Sequence, residues 1–227
     1  MKPMTLTLRV LARLLAYPDA ELRQHLPELR QALRDEDALG AGRLAELGTL
    51  IERLAWAPAM QAESSYVELF DRGRGTSLHL FEHVHGDSRD RGPAMVDLIQ
   101  TYEQAGLLFA DGELPDHLSV VLEYASTQPP AAAREFLRET AHIVSAIFAA
   151  LVKRQSAYAS VLGAVLDLAG ERAQPVKLAD EPDLDASWEE PAAFGGCSTA
   201  GQARPGTPQP VQIVRNPAHR PTPGASA

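Results

Sequence analysis

The chain has 227 residues, 45% hydrophobic and 22% charged, an ordinary globular composition and enough length to bury a core without a disulfide or metal staple. Its single cysteine, Cys197, excludes a disulfide framework, a thiolate zinc site and iron–sulfur ligation together. Thirty acids against 21 bases leave a charge of −9, which argues against nucleic acid and anionic membrane surfaces as partners and favours a basic one.

The amino-terminal run MKPMTLTLRVLARLLAYP mixes arginines into its apolar residues, so it does not read as a secretion signal. No stretch approaches the ~18 uncharged apolar residues of a membrane span, and a cytoplasmic protein is expected. Leu8, Leu11, Leu14 and Leu15 follow helical spacing up to Pro18. Asp19 has the chemistry of an N-cap, and Leu22, Leu26, Leu29 and Leu33 continue the stripe, with Pro27 splitting or kinking it. Leu44, Leu47, Leu50, Ile51 and Leu54 mark a third helix, closed by Pro58. A fourth runs through Tyr66, Val67 and Leu69 to about Phe70.

DRGRGTS then reads as a loop by its glycines, and LHLFEHVHG is too short to assign. A helix near Pro93 places Met95, Leu98, Ile99 and Tyr102 inward and stops at Gly106. Pro115 begins another, with Leu118, Val121, Leu122 and Ala125 inward. The longest spans about Pro130 to Gln155, with Phe136, Ile143, Ile147, Phe148 and Leu151 as core, and a last one covers roughly 157–169 before Gly170. No alternating β pattern interrupts the series. The expected fold is all-α: one helical-bundle domain over residues 1–177. Residues 178–199, with six acids and no base in 178–191, form an expected acidic linker. Residues 200–227 hold six prolines, three arginines and no acid or aromatic residue, and form an expected disordered tail.

Unusual residues concentrate in 66–92, YVELFDRGRGTSLHLFEHVHGDSRDRG, which holds three of the seven histidines. His79 and His83 are one helical turn apart, with His85, Asp87 and Asp90 close in sequence, so a metal-dependent hydrolase is one candidate class. HLFEH is not the HExxH order, however, and loop-capping or interface roles account for the same residues. DRGRG lacks the GxxxxGK[ST] phosphate-binding pattern, and no GxSxG elbow offers a nucleophile. The second candidate class is a binding module. Tyr66, Phe70 and Phe81 alternate with Glu68, Asp71 and Glu82, as in an apolar groove with an acidic rim that docks a basic amphipathic helix. The same aromatic spacing also fits plain core residues.

FDR at 70–72, SL at 77–78, LFEHVHG at 80–86 and SRDRG at 88–92, followed by ELPDHLSVVLEY, closely resemble the nitrate reductase delta-subunit family of molybdenum cofactor assembly chaperones, within the TorD-like redox-enzyme maturation proteins. The resemblance covers most of residues 6–170, and DASWEEPAAFGGC resembles that family's acidic region after the last helix. It implies a single all-helical, TorD-like domain and a dedicated cytoplasmic chaperone rather than an enzyme. The implied client is the alpha subunit of respiratory nitrate reductase, bound through its amino-terminal segment. The alpha–beta complex would be held until cofactor insertion, before membrane docking.

Molybdenum cofactor delivery proteins are further expected partners; no stably bound cofactor, metal or membrane insertion is expected. A related chaperone for another molybdoenzyme is the nearest alternative. The expected client surface is Tyr66, Glu68, Phe70, Asp71, Phe81, Glu82, His83 and His85. Arg72, Asp87, Arg89, Asp90 and Arg91 are expected to structure the loop, the arginines pairing with Asp87 and Asp90.

Overall fold

A computed structural model describes residues 2–86, 88–108 and 114–173, and in it the apolar stripes become helices. Among the described residues these are α1 (Thr5–Leu14), α2 (Ala20–Gln24), α3 (Leu26–Glu36), α4 (Ala41–Trp56), α5 (Ala59–Phe70), α6 (Leu80–His85), α7 (Arg91–Gln104), α8 (Leu118–Thr127), α9 (Pro130–Lys153) and α10 (Ala159–Ala169). A 3₁₀ turn at Arg74–Thr76 follows α5. The fold is all-α, as expected. The acidic linker, the proline-rich tail and Cys197 lie outside the described residues.

Local chemistry sets the helix ends. The Leu6 and Thr7 amides at the start of α1 donate to the Glu36 carboxylate, at 3.0 and 2.6 Å, so the far end of α3 caps α1. Asp19 caps α2 by accepting from the Leu22 amide at 2.7 Å. The expected break at Pro27 is the joint at His25, after which the proline occupies the first turn of α3, where its missing N–H costs nothing. Arg23 closes the end of α4 by donating to the carbonyls of Leu54 and Ala57. Gly106 and Gly170, at φ +81° and +83°, end α7 and α10 in the left-handed conformation that glycine adopts without strain.

The core is a layer of leucines and alanines. α9 packs along α10 and α1 along α8, with α3, α4 and α10 closing the sides. The stripe Leu8, Leu11, Leu14 and Leu15 is fully buried, as are Leu118 and Leu122. On α9 the expected Ile143, Ile147 and Leu151 are buried, and only the two phenylalanine rings depart from the sequence reading. The inward row of the helix is Ala133, Leu137, Ala141, Val144, Ile147 and Leu151, while Phe136 and Phe148 flank the core half-buried. Small residues on the inward face let α9 lie close to its neighbours, and the rings are displaced to the flank. Phe136 packs edge-on against Tyr124, with ring centroids 4.9 Å apart. On α7, Tyr102 is buried, whereas Met95, Leu98 and Ile99 are half-buried.

Candidate functional site

Two distant segments meet in a short antiparallel bridge between His79 and His117. The Leu80 amide donates to the Asp116 carbonyl at 3.0 Å, and the Leu118 amide to the Leu78 carbonyl at 2.9 Å. This bridge explains why α8 starts three residues after Pro115. The Pro115 carbonyl accepts from the Tyr102 hydroxyl at 2.9 Å, and the His117 ring caps α8 through the Ser119 amide.

Asp116 organises the bridge. It is 0% exposed. Its carboxylate accepts from His79 Nδ1 at 3.2 Å and from the Phe81 amide at 3.1 Å. The Arg91 guanidinium lies 3.7 Å away. A buried carboxylate requires such partners, because desolvation without them costs several kcal/mol. Arg91 also reaches Glu82 at 3.5 Å, and Glu82 accepts from the Ser77 hydroxyl at 2.5 Å. His83 Nε2 donates to the Ser77 carbonyl at 2.9 Å. The result is a clasp that fixes α6 to the start of α8. The hydrogen bond to Asp116 holds the His79 pKa above its ordinary value against the opposing effect of burial. Burial, reinforced by the nearby His79, lowers His117 to about 4, so its ring is neutral near pH 7.

The expected site residues divide into three groups. Tyr66 and Phe70 are 7% and 5% exposed and belong to the core. The Tyr66 hydroxyl donates to the Leu15 carbonyl at 2.7 Å, and both rings pack on Tyr158. Placing these two on a client surface is therefore corrected: helical spacing turned them inward. Glu68, Asp71 and Glu82 are exposed. Phe81, His83 and His85 are half-buried on α6, the His85 ring standing edge-on to Phe81 at 5.5 Å.

The loop-structuring expectation is corrected in its pairing. Arg91 joins Glu82 and Asp116, not Asp90, whose carboxylate instead accepts from the Ser88 hydroxyl at 3.2 Å. Arg72 and Arg89 are exposed, and Asp87 lies outside the described residues. His79, His83 and His85 turn to Asp116, Ser77 and Phe81 respectively and do not converge on a common point. No group of three or more potential metal ligands occurs among the described residues.

Sequence reasoning passed over Asp116. Its signal is the PDH tripeptide inside the ELPDHLSVVLEY run, but its partners are as far as 37 positions away. An apolar groove of about 680 Å³ adjoins the clasp. Leu6, Val10, Leu29, Tyr102, Leu108 and Tyr124 line it, with Arg9, Arg13, Glu28 and Glu123 among the polar residues of its walls. Tyr102 is common to both features, lining the groove while its hydroxyl holds Pro115.

The family model described as "Nitrate reductase delta subunit" matches residues 16–162. The nitrate reductase molybdenum cofactor assembly chaperone NarJ of Escherichia coli K12 is 44% identical over 191 residues, covering 80% of this chain and 81% of the relative. The probable chaperone NarW of the same organism is 39% identical, over 81% of this chain and 80% of its own length. The probable NarJ of Bacillus subtilis is 32% identical, over 71% and 86%. A crystal structure of a putative redox enzyme maturation protein from Archaeoglobus fulgidus superposes with a TM-score of 0.52 at 20% identity, covering 74% of this chain and 94% of that one, which supports the fold. Among the described residues no helix is long and apolar enough to cross a membrane. With a family model over most of the helical domain and relatives aligned along four-fifths of both chains, this chain belongs to the nitrate reductase delta-subunit family.

Proposed function

We propose that this protein is a cytoplasmic assembly chaperone that binds the amino-terminal segment of a respiratory nitrate reductase alpha subunit. It holds the alpha–beta complex until the molybdenum cofactor is inserted, then releases it for docking on the membrane. The protein acts by binding and not by catalysis, and the cofactor belongs to the client. Molybdenum cofactor delivery proteins are the further partners in this scheme.

The observation that carries this reading is the family membership over residues 16–162. The geometry is consistent with it in chemical terms. Glu68, Asp71 and Glu82 present exposed carboxylates, and Phe81 is half-buried. Such charges steer a basic segment and fix its orientation, while apolar side chains supply the contact area. The neighbouring groove has the size and polarity to take the apolar face of an amphipathic helix. The clasp holds α6 at a fixed position, so Glu82 is preorganised. Co-purification of the alpha subunit with and without its first residues tests the reading. Retention of the full-length subunit and loss of the shortened one is expected; equal retention of both rejects the amino-terminal segment as the recognised element.

A further inference from the structure

A second surface stands apart from the clasp. At the junction of α4 and α5, Trp56 is 86% exposed and Met60 81% exposed. Each immediately precedes a residue, Ala57 and Gln61, that lines a cavity of about 590 Å³. Leu50, Leu54, Leu69 and Tyr158 form apolar walls, and Arg53 and Glu68 bring charges of both signs. Tyr158 is 8% exposed, yet its hydroxyl has no hydrogen-bond partner among the described residues. A buried hydroxyl left unpaired is unfavourable. Two large exposed apolar side chains beside an apolar hole are unusual on a surface that stays in water.

We infer that this face binds a second copy of the same chain, Trp56 of each copy entering the cavity of the other. The face is self-complementary in shape, because protrusion and hole lie side by side, as a two-fold interface requires. It is self-complementary in charge, because Arg53 and Glu68 line the same cavity and a two-fold rotation can set one against the other. Each buried tryptophan contributes roughly 150–250 Å². Met60 and the remaining walls must supply the rest of the ~1,200 Å² of a specific pair, so a reversible dimer is expected rather than an obligate one. This self-association does not rest on the chaperone reading, although its cavity shares Glu68 with the acidic edge proposed for the client.

Sedimentation of the full-length chain over a concentration series tests it, with Trp56→Ala removing the protrusion and Ser65→Phe blocking the hole. Both positions are exposed, so both variants should keep the wild-type helical spectrum. The wild type should dimerise reversibly, and each variant should weaken the dimer about tenfold or more. An equimolar mixture of the two variants should associate more tightly than either alone, because Trp56 of one finds the open cavity of the other. A wild type that is monomeric at every concentration overturns the proposal, as does a mixture no better than its parts. A monomer whose Trp56 emission shifts when an alpha-subunit amino-terminal peptide is added would assign the face to the client and overturn it equally.

Discussion

Asp116 shows at the scale of one residue how the site is held. Its carboxylate joins the His79 ring, the Phe81 amide and the Arg91 guanidinium in a place without water. Asp116→Asn keeps the shape and removes the charge, and should cost about 1.5–3 kcal/mol in urea denaturation, the range of hydrogen bonds to charged groups. A loss below about 0.5 kcal/mol, the range of ordinary surface substitutions, would show that the clasp does not secure α6. The two histidines predict opposite pH limbs. The raised His79 pKa gives stability that is complete below the unfolded value, about 6.5, and lost as pH rises through the folded value. His117, lowered to about 4, gives stability present above about 6.5 and lost as pH falls toward 4. Each proton changes the unfolding free energy by at most about 1.4 kcal/mol per pH unit. His117→Asn keeps a capping side chain without a titrating ring, so its acid limb should flatten relative to wild type. An identical acid limb would assign that slope to other groups. The 66–92 cluster was visible in the sequence as a concentration of polar residues. The shared partner of His79, Phe81 and Arg91 was not, because Asp116 reaches them only through the fold.

The helices were the most legible elements, because leucine spacing, Asp19, Pro27, Gly106 and Gly170 act locally. Phase within a helix was less legible. On α9 the large rings of Phe136 and Phe148 suggested the inward face, but the fold turns alanines inward and keeps the rings at the flank. Close approach between helices selects small side chains, a selection that hydrophobic periodicity does not register. On α5 helical spacing turned Tyr66 and Phe70 inward while Glu68 and Asp71 stayed out, which separated the expected acidic rim from two of its aromatic partners. Burial sets an energetic order on this helix. Ile147 is fully buried, so Ile147→Ala should cost about 2–5 kcal/mol. Phe148→Ala removes a larger but half-buried side chain and should cost about 1–2 kcal/mol by its smaller buried area. Denaturation of both variants measures the order directly; a larger loss at Phe148 would place its ring in the core.

For the whole molecule, composition and periodicity reached an acidic all-helical binding module, and the 66–92 and 113–124 motifs tied it to a family. The groove beside the clasp was not legible, since α1, α3 and α8 build it from residues whose individual patterns indicate only core and surface. A chain ending near Ala200 is expected to keep its thermal midpoint and client affinity, because residues 200–227 hold six prolines and no aromatic residue to bury. A midpoint lower by several degrees would show that this segment packs on the helical domain. In the proposed function an acidic edge recognises a basic client segment. That recognition is tested most directly by calorimetric titration of an alpha-subunit amino-terminal peptide, at low and high salt. Wild type is compared with a folded Glu68→Gln, Asp71→Asn, Glu82→Gln triple variant. The variant should bind more weakly and with a flatter salt dependence, since fewer charge pairs remain to be screened. Unchanged affinity with an unchanged salt slope would contradict it.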